Sequence, residues 1–183
     1  KAAEVLAQTI INNGLIHVFG TGHSHIPSEE AFFRAGSLAC VNPMLEPSLM
    51  LHSGAVKSSV LENQSGFARA IFQHFNPQPS DVRILFSNSG VNAVPVEMAE
   101  LVHRKGITLI GIGSKKYIEY LKKERKSNSI IEYCDFFIDN KGEVGDACIE
   151  VKGLEQKVAP TSTISGVLIL QLLFTTAVFK VIE

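Results

Sequence analysis

Residues 15–20, LIHVFG, run directly into residues 21–30, TGHSHIPSEE, and this junction is the most informative part of the sequence. The first segment is a short apolar run, which is typical of a buried strand. The second predicts a helix over 27–38 that begins with Pro27 and Ser28 and ends near Gly36. Because chain reversal needs only one glycine or asparagine, the additional polar residues at 20–30 indicate a binding site.

The alternation of strand and helix continues along the chain. Further strands are predicted at 39–45, 82–87, 107–114 and 136–140, and further helices at 60–75, 93–105 and 117–125, before a long terminal helix. The strands are apolar throughout rather than at every second residue, which indicates a parallel sheet covered on both faces. The sequence therefore predicts a doubly wound, three-layer α/β/α sandwich with a five-stranded parallel sheet, as one domain over 1–183.

Composition and charge exclude several classes of protein. The 183 residues are 45% hydrophobic and 19% charged, which suits a compact domain and argues against disorder. With 17 basic and 18 acidic residues the net charge is −1, and the longest basic block is KKERK at 122–126, so no nucleic-acid partner is expected. Cys40, Cys134 and Cys148 lack metal-type spacing, and as reduced core thiols they predict a cytoplasmic protein.

The stretch 158–179 contains no charged residue over 22 positions, a length that can span a bilayer. Pro160, Gln171 and several serines and threonines interrupt its hydrophobicity, which favours a helix in a core or a subunit interface over a membrane span. Apolar residues at 167–173 cover every side of this helix, so its own sheet cannot bury them all. A homodimer or a higher homo-oligomer is predicted.

Two loops between a strand and a helix share a polar composition. They contain Thr21, Gly22, His23 and Ser24 after the first strand, and Ser87, Asn88, Ser89 and Asn92 after the third. Ligands of doubly wound sheets bind beyond the carboxyl ends of the strands. Glycine allows close backbone approach, hydroxyl groups donate without adding charge, and helix N-termini attract anions. The loops predict a phosphate site, although Ser24, Ser28 and Asn92 are alternatively helix caps.

Two other interpretations of these loops fit less well. A dinucleotide site requires G-x-G-x-x-G and an acidic residue at the end of the second strand. Here His25 occupies the position of the third glycine, and the second strand carries Asn42, with Glu46 beyond its end. A serine nucleophile elbow requires G-x-S-x-G, and the segment SNSG at 87–90 lacks the first glycine.

Three segments resemble the SIS (sugar isomerase) domain family. They are GTGHS at 20–24, SNSGVNAVPVEMA at 87–99 and KVAPTSTISG at 157–166. The second is similar to a loop of phosphoheptose isomerase and of the isomerase half of glucosamine-6-phosphate synthase, and the third to a segment of arabinose-5-phosphate isomerase. NPMLEPSLMLHSG at 42–54 and IDNKGEVGDA at 138–147 resemble a bacterial group of stand-alone SIS proteins described as phosphosugar-binding.

The resemblance implies a flavodoxin-like SIS fold, a sugar phosphate as ligand and no cofactor. Ser24, Ser87 and Ser89 would hold the phosphate, with Asn92 in place of the serine or threonine of other members. The remaining residues expected around the ligand are Thr21, Gly22, His23, Asn88, Thr161 and Ser162. An aldose–ketose isomerase that removes the proton next to a sugar carbonyl is predicted. The alternatives are a lyase or etherase that uses the same proton abstraction, and a non-catalytic phosphosugar sensor.

Two adjacent glutamates are candidates for the base that removes this proton. Glu30 lies six residues after Ser24, which places its carboxylate roughly 9 Å away along a helix, within reach of the carbonyl end of a sugar phosphate. Glu30 is therefore the predicted general base, with Glu29 as the alternative; both also suit a first helical turn, and Glu30 can pair with Arg34.

Histidines accompany these carboxylates. His25 is a predicted catalytic residue, and His23 and His25 both suit ring opening or proton movement. At spacing i and i+2 the two point in different directions, so no metal is expected. SIS dimers often complete each other's sites, and His52 and Glu62 are therefore candidates from the partner subunit.

Overall fold

The structure is a computed structural model that describes residues 1–183, and a five-stranded parallel sheet forms its centre. Its strands are β1 (Ile16–Gly20), β2 (Val41–Pro43), β3 (Val82–Phe86), β4 (Thr108–Gly113) and β5 (Phe136–Asp139), in the order β2-β1-β3-β4-β5. Residue pairs such as Gly20 with Phe86 and Phe86 with Ile112 align the strand ends at one edge. The predicted fold class is confirmed.

Seven helices and a small hairpin surround the sheet. The helices are α1 (Ala2–Ile11), α2 (Ile26–Glu30), α3 (Ala55–Leu61), α4 (Phe67–Phe75), α5 (Ala93–Arg104), α6 (Lys115–Arg125) and α7 (Ser162–Ile182). The hairpin pairs β6 (Ala147–Ile149) with β7 (Val158–Pro160) in antiparallel fashion. Helix α1 and this hairpin were not predicted.

Alternate residues of the strands feed two separate cores. On one face, Phe19 and Leu85 pack in a cluster that includes residues of α4 and α5, among them Phe72 and Met98. On the other face, side chains such as Ile84 join residues of α1 and α7. Both faces of the sheet are therefore dry, as the uninterrupted apolar strands indicated.

Two predicted helices are shorter than expected. The helix predicted over 27–38 ends at Glu30, because the chain turns where Phe33 takes a φ of 48° and Gly36 a φ of 82°. The helix predicted over 60–75 is broken between α3 and α4, where Gly66 has a φ of 86°. The second break places Glu62 directly after α3 and orients it independently of α4.

By length and composition alone, helix α7 is long and apolar enough to cross a membrane. The mean hydropathy of its most apolar 18-residue stretch is 1.9, and 28% of that stretch is buried in the domain. Its inner face packs against α1 and the sheet through Leu170, Phe174 and Ala177. Its outer face is apolar and exposed. The three cysteines are unpaired, but Cys148 is exposed and does not belong to the core as predicted.

A buried polar network lies near the start of β1 and β3. His17 donates from Nε2 to Asp81 Oδ2 at 3.0 Å and accepts at Nδ1 from the amide of Asn42 at 3.1 Å. Burial lowers the pKa of His17, and the bond to Asp81 only partly opposes this effect. Burial also tends to raise the pKa of Asp81, but bonds from the Leu15 and Gln78 N–H groups and from His17 lower it overall. Both groups therefore favour their deprotonated forms in the folded protein.

Acid should destabilise the fold through His17. The unfolded chain takes up a proton on this histidine near its ordinary pKa of 6.5, whereas the folded chain does so only at lower pH. The free energy of unfolding should therefore fall as pH is lowered from about 7 to about 5. Urea titrations across this range should give a smaller fall for His17→Gln than for the wild type; equal slopes would contradict this role of His17.

Candidate functional site

A polar cleft opens at the carboxyl ends of the strands, where the loops after β1 and β3 meet the start of α7. Its volume is about 330 Å³, which lies within the range of small-ligand sites. The lining residues are mostly polar: Thr21, Gly22, His23, Ser24, Leu51, Ser59, Glu62, Ser87, Asn88, Ser89, Asn92, Tyr117, Gly145, Asp146 and Ser162. The structure thus brings together nearly all of the predicted phosphate-site residues. No lysine or arginine lines the cleft.

The loop after β1 forms one wall of the cleft and depends on a glycine. The chain folds back so closely that a Cβ atom on Gly20 would overlap the Ser24 carbonyl group. Residues 22–25 form a single 3₁₀ turn, in which the Ser24 N–H donates to the Thr21 carbonyl at 2.9 Å. This tight turn exposes His23 and leaves Ser24 half-buried at the cleft.

The loop after β3 presents unused hydrogen-bond donors. The backbone N–H groups of Asn88 and Ser89 make no hydrogen bond within the chain. Asn140 donates to Asn88 Oδ1 at 3.0 Å, which fixes the orientation of the Asn88 side-chain amide. The Nδ2 atom of Asn88 is buried and has no hydrogen-bond partner. Ser87 Oγ accepts from the Gly90 N–H at 3.1 Å and so closes the loop. Unpaired buried donors are costly unless a ligand or water accepts from them.

The start of α7 completes the cleft but is already capped. Asp146 Oδ1 accepts from the Ser162 N–H at 2.9 Å and from the Thr161 N–H at 3.2 Å, and Asp146 Oδ2 accepts from Ser162 Oγ at 2.6 Å. Thr161 is therefore not at the cleft surface as predicted, whereas Ser162 is. Asp146 was not among the predicted site residues, because it lies 15 residues before Thr161 and caps the helix only through the β6–β7 hairpin.

Glu62 lies in the cleft of its own chain. Its Oε2 atom accepts from Thr21 Oγ1 at 2.7 Å, and its backbone carbonyl accepts from the Val94 N–H at 2.9 Å. The side chain is half-buried and lines the cleft together with Ser24 and Ser87. Glu62 was predicted as a residue that serves the partner subunit; within one chain, the break after α3 turns it onto the β1 loop.

Glu30 does not line the cleft. Its carboxylate pairs with Arg34 and accepts from Gln171 Nε2 at 3.2 Å, so it faces α7 rather than the phosphate loops. Arg34 was the structural partner considered for Glu30 in the sequence. On the cleft edge, Asn92 accepts from Arg125 at 3.0 Å.

His25 lies outside the cleft although it directly follows Ser24. Its ring is 3% exposed, and its Nδ1 atom donates to the Gly22 carbonyl. His52 packs edge-on against it, with ring centroids 5.3 Å apart, and Glu29 lies on the same side. His52, also predicted as a residue that acts from the partner subunit, is exposed and contacts His25 of its own chain.

Comparison with known proteins identifies the family of this chain. A family model described as SIS domain matches residues 1–114, which include the loops after both β1 and β3. The chain belongs to the SIS domain family. Sequence relatives of this SIS protein are UPF0309 proteins. One from Listeria monocytogenes is 41% identical over 179 residues, covering 97% of this chain and 72% of the relative. One from Thermoanaerobacter pseudethanolicus is 38% identical over 188 residues, covering 100% and 76%.

Solved structures share the SIS fold at low sequence identity. A phosphoheptose isomerase from Neisseria gonorrhoeae has a TM-score of 0.58 and 16% identity, covering 97% of this SIS chain and 83% of the other. The sugar isomerase domain of a transcription factor from Sphaerobacter thermophilus has a TM-score of 0.54 and 12% identity, with 98% and 78% covered. These likenesses concern the fold of the sheet and its helices.

Proposed function

We propose that this SIS protein binds a sugar phosphate in the cleft and isomerises it by removing the proton next to the carbonyl carbon. The observation that carries the proposal is the set of unused donors after β3: the Asn88 Nδ2 and the N–H groups of Asn88 and Ser89. With the hydroxyl groups of Ser24, Ser87 and Ser89, they supply neutral donors for a phosphate at one wall of the cleft.

The site suits a phosphate held by dipoles. No basic side chain lines the cleft, and the parallel strands β1 and β3 end at this same edge of the sheet. Clusters of backbone N–H groups bind anions without a fixed positive charge. The β3 loop thus offers neutral donors to a phosphate, and the carboxylates of the cleft, Glu62 and Asp146, belong to other segments.

Glu62 is the proposed general base, in place of Glu30. Its carboxylate lines the cleft, and Thr21 Oγ1 holds one oxygen, so the other oxygen is available for proton transfer. A positioned carboxylate is a common base for removal of a proton next to a carbonyl. His23, exposed at the same cleft, is the proposed group for opening the sugar ring.

Calorimetric titration with a panel of sugar phosphates tests the binding proposal. Pentose, hexose and hexosamine phosphates should include at least one ligand, and the corresponding unphosphorylated sugars should bind much more weakly because they cannot use the donors after β3. Equal affinity for a sugar and its phosphate would contradict the proposed phosphate site.

A homodimer is part of the proposal because the outer face of α7 is apolar. Ile164, Leu168 and Leu172 follow one another at a spacing of four residues and are 75%, 58% and 58% exposed. Four-residue spacing places these side chains on one stripe of the helix. A second copy of this chain, packed with two-fold symmetry, would remove the stripe from water.

Substitution on this stripe should separate the subunits. The wild type should have a light-scattering mass near twice 19.9 kDa at micromolar concentration, and the double variant Leu168→Glu, Leu172→Glu should have a mass near 19.9 kDa. Tyr120→Glu, at an exposed residue of α6, is the matched control and should remain dimeric. A wild-type mass of 19.9 kDa would overturn the dimer.

A further inference from the structure

We infer that His25, Glu29 and His52 form a binding site for a divalent transition metal of the zinc type. One ligand atom of each residue lies within 4.8 Å of the others. The site is separate from the phosphate donors, since none of the three residues lines the cleft. The inference stands independently of the proposed isomerase activity.

The hydrogen bonding of His25 leaves one ring nitrogen facing a carboxylate. Nδ1 donates to the Gly22 carbonyl, so in the neutral ring Nε2 carries a lone pair. Nε2 is buried, has no hydrogen-bond partner and lies 3.4 Å from Glu29 Oε1. A lone pair and a carboxylate oxygen repel each other unless a cation lies between them. A metal-bound histidine characteristically donates its other nitrogen to a carbonyl or carboxylate, as His25 does here.

The surrounding elements position all three ligands. His25 ends the 3₁₀ turn after β1, and Glu29 follows one helical turn later on α2, so both side chains project to the same side. His52 reaches them from the 3₁₀ turn Leu51–Ser53, which Met50 separates from the turn Pro47–Leu49. His23, which lies at spacing i and i+2 from His25 and points in a different direction, is not one of these ligands.

The ligand types select the metal. Two imidazoles and one carboxylate suit zinc and neighbouring first-row ions, whereas magnesium and calcium prefer oxygen ligands alone. Three protein ligands leave at least one position for water or a ligand. Glu29 and His52 are exposed, so a metal ion can enter from solvent.

The metal would connect the β1 loop with the segment that carries the proposed base. His25 follows Ser24 of the phosphate loop, and residues 51–62 run from His52 through α3 to Glu62. A bound ion would thus fix two walls of the cleft relative to each other. The folded protein should gain thermal stability on metal binding, because the unfolded chain lacks the assembled site.

Zinc titration of the chelator-treated protein tests the inference. Calorimetry should give one zinc ion per chain for the wild type and no binding of magnesium. His52→Ala, at an exposed residue, should bind zinc at least about tenfold more weakly, since loss of even an outer partner of a ligand costs about 10–100-fold. His103→Ala, which changes a histidine far from the cluster, is the matched control and should bind as the wild type does.

Two results would overturn the site. One is the absence of stoichiometric zinc binding, together with a melting temperature that zinc does not raise; the cluster would then hold a proton rather than a metal. The other is equal zinc affinity in the wild type, His52→Ala and Glu29→Gln, which would place the ion elsewhere. The melting temperatures of the variants without zinc show whether the fold is retained.

Discussion

Glu62→Gln should abolish nearly all turnover while the sugar phosphate still binds. Glutamine has the same shape and can still accept a hydrogen bond from the Thr21 hydroxyl group, so the cleft keeps its geometry. It cannot take a proton, however, and loss of a general base typically slows a reaction by about 10²–10⁴-fold. Once the substrate is identified, steady-state kinetics should show the fall in kcat, with a Kd from calorimetry close to that of the wild type.

The matched control for this variant is Glu30→Gln. Glu30 pairs with Arg34 and Gln171 outside the cleft, so its substitution should leave kcat within a fewfold of the wild type. If Glu30→Gln loses turnover and Glu62→Gln does not, Glu30 is the base, and the position of Glu62 in the cleft has another purpose.

The double variant Ser87→Ala, Ser89→Ala should bind the sugar phosphate much more weakly. A hydrogen bond to a charged group contributes about 1.5–3 kcal/mol, and each 1.4 kcal/mol changes Kd tenfold. Because the two hydroxyl groups belong to one loop and are not independent, we expect a loss of at least about 100-fold rather than a full sum. Calorimetric titration of the phosphorylated ligand measures this loss.

Two control variants show whether the loss of affinity comes from the cleft serines and whether it reflects lost ligand contacts or a disturbed loop. Ser53→Ala, at an exposed serine outside the cleft, should bind as the wild type does. Ser89→Ala alone separates phosphate binding from loop structure, because only Ser87 Oγ accepts from the Gly90 N–H and closes the turn. Unchanged affinity of the double variant would exclude the Ser87 and Ser89 hydroxyl groups as phosphate ligands.

The fold and the phosphate loops were predictable because they depend on local patterns. Apolar strands such as 82–86, each followed by a helical segment, indicate a parallel sheet, and parallel strands necessarily bring their carboxyl ends to one edge. Ser24 and Ser87 follow β1 and β3, which are neighbouring strands, so the two serines lie near each other at this edge. The exposed stripe on α7 was similarly visible in the uncharged run at 158–179.

The positions of the acidic residues and histidines were not predictable in the same way. Whether Glu30 or Glu62 enters the cleft depends on where helices stop, and both relevant helices end earlier than their apolar patterns indicate. The chain turns through positive φ angles at Phe33 and Gly66, and the apolar pattern does not mark these turns. The bond from Thr21 to Glu62 spans 41 residues, and the approach of His52 to His25 likewise depends on tertiary structure.

The most direct test of the proposed function is solvent deuterium uptake at the carbon next to the carbonyl. The wild-type protein is incubated in deuterated buffer with each sugar phosphate that binds, and the recovered sugar phosphates are examined by NMR. We expect deuterium at that carbon in both the aldose and the ketose, and none with Glu62→Gln. A sugar phosphate that binds in the cleft but is recovered from the wild type without deuterium and without conversion would contradict proton abstraction. That result would favour the non-catalytic phosphosugar sensor.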